Sequence, residues 1–179
     1  AGEAAEAATD HRAALAIYER LAADQALVSD EVLARLGRAA LAADDHRKAA
    51  QAYVRLYYEF PLTSAGASAI PQMKALADHI TRRGYEADLG RAQMFFGARR
   101  YAEARAAFAD IRPHMRGDNR ELVDLRIAES DFHLGKHAAA RDALMRYTRE
   151  AKRLAEARFF YLSAVRALGD HDRYVTLAR

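Results

Sequence analysis

Seven histidines and several close carboxylate pairs are the groups in this chain with chemistry to offer. The chemistry would be zinc ligation or general acid–base catalysis. His133 and His137 stand at the spacing of a helical zinc pair, but Gly135-Lys136 between them reads as a turn, so they would not share one helical face. Asp44-Asp45 and Asp170 with Asp172 also fall in turn sequences, where Asp caps the following helix. There is no Ser-His-Asp arrangement, phosphate-cradling glycine loop or dinucleotide fingerprint. The chain has no cysteine, which excludes disulfides, zinc–thiolate sites and thiol nucleophiles. The expectation is no metal, no cofactor and no catalytic residue within these 179 residues.

The elements that must position any site are helices arranged as a degenerate repeat. Leu36-Gly37, Ala40, Asp44-Asp45-His46, Ala49, Tyr53, Leu56 and Pro61 follow the order of a Leu-Gly pair, a small residue, a polar turn, then Ala, an aromatic, an apolar residue and a closing Pro. This resembles the 34-residue tetratricopeptide unit, a helix-turn-helix that stacks into a solenoid. The Ala that opens each second helix recurs as Ala14, Ala49, Ala104 and Ala140, with Tyr174 in the same place in a weaker last copy. The intervals are 35, 55, 36 and 34 residues, so one of them holds an insertion. Each copy has its turn: Thr9-Asp10-His11, Asp44-Asp45-His46, Arg99-Arg100-Tyr101, Gly135-Lys136-His137 and Gly169-Asp170-His171. His11, His46, His137 and His171 thus share one repeat position with Tyr101, where a ring packs at a helix start. Behind the turns run apolar sets at helical spacing, such as Ala14, Ile17, Tyr18, Leu21 and Ala104, Ala107, Phe108, Ile111.

Caps mark further helix starts at Ser29-Asp30, Thr63-Ser64 and Asp118-Asn119. Phe60-Pro61 closes the second repeat, and Pro113 to Asn119 reads as the longest loop. In the inserted stretch, Pro71 would cost an interior helix about 3 kcal/mol. The expectation there is a short turn of helix at 64–69 and a longer helix at 71–83. The chain is then an all-α, right-handed superhelical solenoid of antiparallel helix pairs, about ten to twelve helices. Its repeats lie near 1–28, 30–63, 85–118, 121–152 and 155–179, with the inserted helical segment at 64–84.

Composition agrees with helices: 51% hydrophobic, 30% charged, rich in Ala, Leu, Arg and Glu. Of 28 basic residues only Lys48, Lys74, Lys136 and Lys152 are lysine, and acidic residues are interleaved throughout at a net charge of +3. No basic stripe stands clear of its counter-charges, so no nucleic-acid partner is expected. No apolar run reaches the length of a membrane span, so none is expected. The chain opens at Ala1-Gly2-Glu3 without a Met or a signal peptide and stops at Arg179, both inside helix-forming sequence, and reads as a piece of a longer protein.

Two segments resemble more than a generic repeat. Tyr57-Tyr58-Glu59-Phe60-Pro61-Leu62-Thr63-Ser64 is similar to a junction common in bacterial cell-envelope repeat proteins. Arg91 to Arg105, continued by Arg120-Glu121-Leu122, Leu125 to Glu129 and Arg158-Phe159-Phe160-Tyr161-Leu162, is similar to the superhelical region that precedes the catalytic domain of soluble lytic murein transglycosylases. The resemblance spans most of residues 30–179 and implies a periplasmic, non-catalytic arm that supports a peptidoglycan-cleaving domain. Glu129-Ser130 looks like that domain's catalytic Glu-Ser pair, but the Gly-Leu-Met-Gln segment that should follow is missing. Glu129 is therefore read as an ordinary helix residue.

In tetratricopeptide arrays the concave wall is lined by the first helix of each repeat. Carried across, those positions are Arg38, Gln93, Phe96, Arg126, Glu129, His133, Ser163 and Arg166. The Asn and paired Lys of a peptide-carboxylate clamp are missing from this wall. Its expected partners are peptidoglycan, a protein or peptide in the concave groove, and the catalytic domain of a parent chain. A tetratricopeptide adaptor that binds another protein is the alternative.

Overall fold

Among the described residues one three-residue turn recurs at four places, and its backbone hydrogen bonds define it. The computed structural model describes residues 1–7, 10–81, 83–147 and 151–178; Thr9 and Arg179 lie outside the described residues. The first residue of each turn is in the left-handed region: Asp44 (φ 60°), Arg99 (φ 59°), Gly135 (φ 76°) and Gly169 (φ 77°). Its N–H reaches back to Leu41, Phe96, Phe132 and Arg166 in turn, at 2.9–3.0 Å. The next residue's N–H reaches one step further, from Asp45 to the Ala40 carbonyl (2.8 Å), Arg100 to Phe95 (2.9 Å), Lys136 to Asp131 (2.8 Å) and Asp170 to Val165 (3.3 Å). These paired bonds satisfy the carbonyls that a helix end leaves open. The following helix then begins at His46, Tyr101, His137 and His171, the shared repeat position read from the sequence.

The described residues form eleven α-helices and no strand. Residues 1–84 make one compact unit. It holds α1 (Gly2–Ala7), α2 (His11–Ala23), α3 (Asp30–Ala42), α4 (His46–Glu59) and α5 (Ser64–Ala75). Residues 85–179 make a second. It holds α6 (Tyr85–Gly97), α7 (Tyr101–Ile111), α8 (Gly117–His133), α9 (His137–Leu144), α10 (Leu154–Ala167) and α11 (His171–Ala178). Within each unit every helix packs on the next, and α3 with α5 and α8 with α10 also touch. None of the described helices is long and apolar enough to cross a membrane.

Small residues bring the paired helices close, and a larger one fills the space beside them. Ala14, Ala49, Ala104 and Ala140 are all fully buried. One turn on, Tyr18, Tyr53, Phe108 and Leu144 are at most 4% exposed. The Tyr53 ring lies against Gly37 so closely that a Cβ there would stand 2.6 Å from its Cζ. Tyr18 bears on Gly2 in the same way, at 2.7 Å. Gly2 is thus the Gly of a first copy of the repeat, and α1 is that copy's first helix.

Caps at Ser29, which accepts from Val32 N–H at 3.2 Å, and Thr63, which accepts from Gly66 N–H at 3.0 Å, are as the sequence predicts. Asp10 and Asp45 cap α2 and α4 in the same manner. Asp118-Asn119 does not cap. The helix already starts at Gly117, in the left-handed region at φ 51°, so both residues lie in its first turn. There Asp118 pairs with Lys152, and Asn119 donates to Glu86 at 3.0 Å. The loop expected from Pro113 to Asn119 is correspondingly short, because residues 112–114 form a 3₁₀ turn.

The inserted segment also departs from expectation. It is one helix, α5, that runs through Pro71, followed by a 3₁₀ turn at Ala77–His79. Ala67, Ile70 and Pro71 lie on the exposed side, so the break that Pro71 makes in the helix ladder falls away from the packed face. The opposite side, with Gly66 and Ala69 buried, holds the helix on α4 across the break.

Candidate functional site

In the second unit, the first helices of successive pairs (α6, α8 and α10) bring together four of the eight wall residues: Phe96, Arg126, Glu129 and His133. Arg126 lies over the Phe96 ring, with Cζ 4.8 Å from its centroid. Its Nη1 donates to Glu129 Oε2 and, at 2.8 Å, to Glu156 Oε1 on α10. Phe96 meets Tyr101 edge to face at 5.5 Å, and Tyr101 stacks on His133 at 4.1 Å with planes 9° apart. His133 and Phe132 each meet the Phe160 ring, at 5.7 and 5.6 Å, and Phe160 meets Phe159, which is 64% exposed. The result is an aromatic row beside a three-charge cluster.

Gln93 is exposed one turn before Phe96 on α6, and no contact joins it to the cluster in the described residues. Ser163 donates its hydroxyl to the Phe159 carbonyl at 2.8 Å, so it serves its own helix. Arg166 is exposed in the last turn of α10. Arg38 is exposed on α3 in the first unit. Glu129, expected on an open wall, is fully buried because α10 crosses α8 at this level and Glu156 and Arg126 close over it.

Burial pushes the Glu129 carboxyl up to about 7, and the negative charge of Glu156 adds to the rise while Arg126 opposes it. Burial acts on Glu156 in the same sense, but its bond to Arg126 outweighs that and holds it below the ordinary Glu value. His133 is lowered by burial and by the nearby Arg99 charge. A carboxyl that holds its proton near neutrality is what a general acid requires. Glu129 presents no exposed surface in this fold, so its raised proton affinity follows from packing between helices.

His133 closes α8 and His137 opens α9, with His137 packed on Phe132 at 5.1 Å, so the two imidazoles occupy different helices. Of the rings expected to pack at helix starts, His46 stacks on His79 at 5.6 Å and Tyr101 on His133, whereas His11 is exposed and the His171 side chain lies outside the described residues. A cavity of about 530 Å³ lies between α8 and α9, with Arg112, Arg120 and Asp124 on its rim. Both arginines are bound to Asp124, at 2.5 and 3.2 Å, which leaves one net positive charge among the three.

Phe160 and Glu156 belong to the cluster although the wall positions omitted them. A signal existed: one 34-residue step from Arg126 lands on Phe160. No protein-family model matches this chain, and no curated protein matches it.

Proposed function

We propose that the chain is a non-catalytic helical scaffold of tetratricopeptide type. In this reading it is the periplasmic superhelical arm of a lytic murein transglycosylase, which guides the glycan strand or seats the catalytic domain. The observation that supports a repeat scaffold most directly is the recurrence of one turn at Asp44, Arg99, Gly135 and Gly169, each joining two packed helices. The murein assignment rests on the likeness of the Arg91–Arg105 and Arg158–Leu162 segments. The row of Phe96, Tyr101, His133 and Phe160 beside Arg126 and Glu156 offers flat apolar faces next to charged hydrogen-bonding groups, which suits a sugar ring.

The alternative, an adaptor that binds another protein, draws on Phe159, which presents 64% of its surface to solvent at the end of the row. Co-sedimentation with purified sacculi separates the two. The murein reading expects retention on sacculi that Phe159→Ala and Arg166→Ala together weaken at unchanged helicity. No retention by the wild-type protein removes that reading and leaves the adaptor, whose test is partner capture by the same pair of variants.

A further inference from the structure

A single guanidinium nitrogen ties α8 to α10 through two carboxylates. Arg126 Nη1 donates to Glu129 Oε2 on its own helix and to Glu156 Oε1 on the next. Glu129 Oε1 is buried and has no hydrogen-bond partner among the described residues. With both acids ionised, the triad carries one net negative charge beside the apolar Phe96 ring; with one proton it is neutral. Of the three side chains only that of Glu129 is fully buried, 0% exposed against 39% for Glu156, so its carboxyl costs far less to keep out of water neutral than ionised.

The surroundings offer no second cation to Glu129 among the described residues. From α10 come Glu156, whose carboxyl shares a hydrogen bond with that of Glu129, and the Tyr161 ring, while Arg153 just before α10 acts on Glu156. After α9, Tyr147 donates its hydroxyl to the Glu121 carbonyl at 2.8 Å, and Arg153 lies 3.9 Å from the Glu121 carboxylate. On α7, Arg105 is bound to Asp131 at 2.6 Å and Tyr101 is stacked on His133. α6 contributes the Phe96 ring. His133, one turn further along α8, is held toward its neutral form.

We propose that Glu129 is a proton-operated latch between α8 and α10. With the proton on, Arg126 pairs with Glu156 across the two helices; with it off, the buried net charge weakens that contact. Burial raises the Glu129 carboxyl to about 7, so the latch works near neutrality. The folded state binds this proton more tightly than the unfolded chain does. The stabilisation is therefore complete below the ordinary Glu value of 4.5 and is lost as pH rises through about 7.

The test is urea unfolding of the full chain at a series of pH values, with a carbon-13 NMR titration of the Glu129 carboxyl in the wild type. From about pH 5 to about pH 8 the wild-type unfolding constant should rise on the order of fiftyfold through this group. Glu129→Gln, which keeps the shape and has no proton to lose, should remove that rise while every other titration remains. Glu156→Gln should move the Glu129 midpoint downward, since Arg126 then faces one carboxylate. A Glu129 midpoint between about 4 and 5, or an undiminished pH slope in Glu129→Gln, overturns the latch. The NMR titration decides the matter even if a variant fails to fold.

Discussion

The repeated turn makes opposite demands at two positions in the same unit, and both can be tried in one unfolding transition. Gly135 sits at φ 76°, and a Cβ built there has nothing within 4 Å, so Gly135→Ala changes the backbone preference and nothing else. A non-glycine residue in the left-handed region costs roughly 1–2 kcal/mol, and Ala recovers about 0.4–1 kcal/mol by restricting the unfolded chain. The expected net loss is about 1 kcal/mol. Arg99 occupies the equivalent place at φ 59° with a full side chain, and it is exposed. Arg99→Gly should therefore gain about 0.5–1 kcal/mol by the same arithmetic in reverse. Equilibrium urea unfolding followed by helical circular dichroism reads both shifts as changes in midpoint at constant slope. A neutral Gly135→Ala, or a destabilised Arg99→Gly, would refute the claim that these two turns share one left-handed geometry.

Further substitutions test the packing of the first unit. Gly66→Ala should cost more than Gly37→Ala, because its Cβ would stand 2.0 Å from the rigid Phe60 carbonyl oxygen whereas Gly37 meets the Tyr53 ring at 2.6 Å; equal midpoints in urea would contradict this. Ala49→Leu should overpack α3 against α4 and cost about 1–3 kcal/mol, and a neutral result would mean the repeat register is wrong. Pro71→Ala should raise stability by about 2 kcal/mol, since it restores a bond to Ala67 within an existing helix. A loss of stability there would show that Pro71 starts a helix instead. Asp45→Ala removes the bond to Lys48 N–H (3.0 Å) and should cost about 1 kcal/mol, read as a lower melting temperature.

The helix pairs were legible because their determinants are local. A turn residue in the left-handed region, an Asp three residues before the N–H it caps, and an Ala four residues before an aromatic all lie within one short window of sequence. Where the structure departs from the sequence expectation, packing or a neighbouring residue outweighs one local signal. Pro71 is a strong helix breaker, but it lies on the exposed side, and the packing of Gly66 and Ala69 on α4 outweighs it. Asp118-Asn119 is a good cap sequence, but Gly117 had already turned the chain into the helix. Gly2 precedes Tyr18 by the same interval that separates Gly37 from Tyr53, so its place in the repeat is carried by a spacing rather than by a local signal.

The cluster on α8 was half legible for a different reason. Arg126, Glu129 and His133 share a helix face by spacing, which the sequence shows directly. Whether that face meets water or another helix depends on α10, some thirty residues later, and no local pattern reports how α10 crosses. The crossing divides the face. His133, at the end of α8, remains exposed and takes its place in the aromatic row, while Glu129, one turn earlier, lies under Arg126 and Glu156. A single row of wall residues thus has two physical roles. Its outer part can meet a ligand, and its inner part meets the next repeat and stores a proton there. The raised affinity of Glu129 for that proton follows from the helix crossing, so it carries no evidence of catalysis. A substitution at Glu129 should act on the pH dependence of stability, and one at Phe159 or Arg166 on binding.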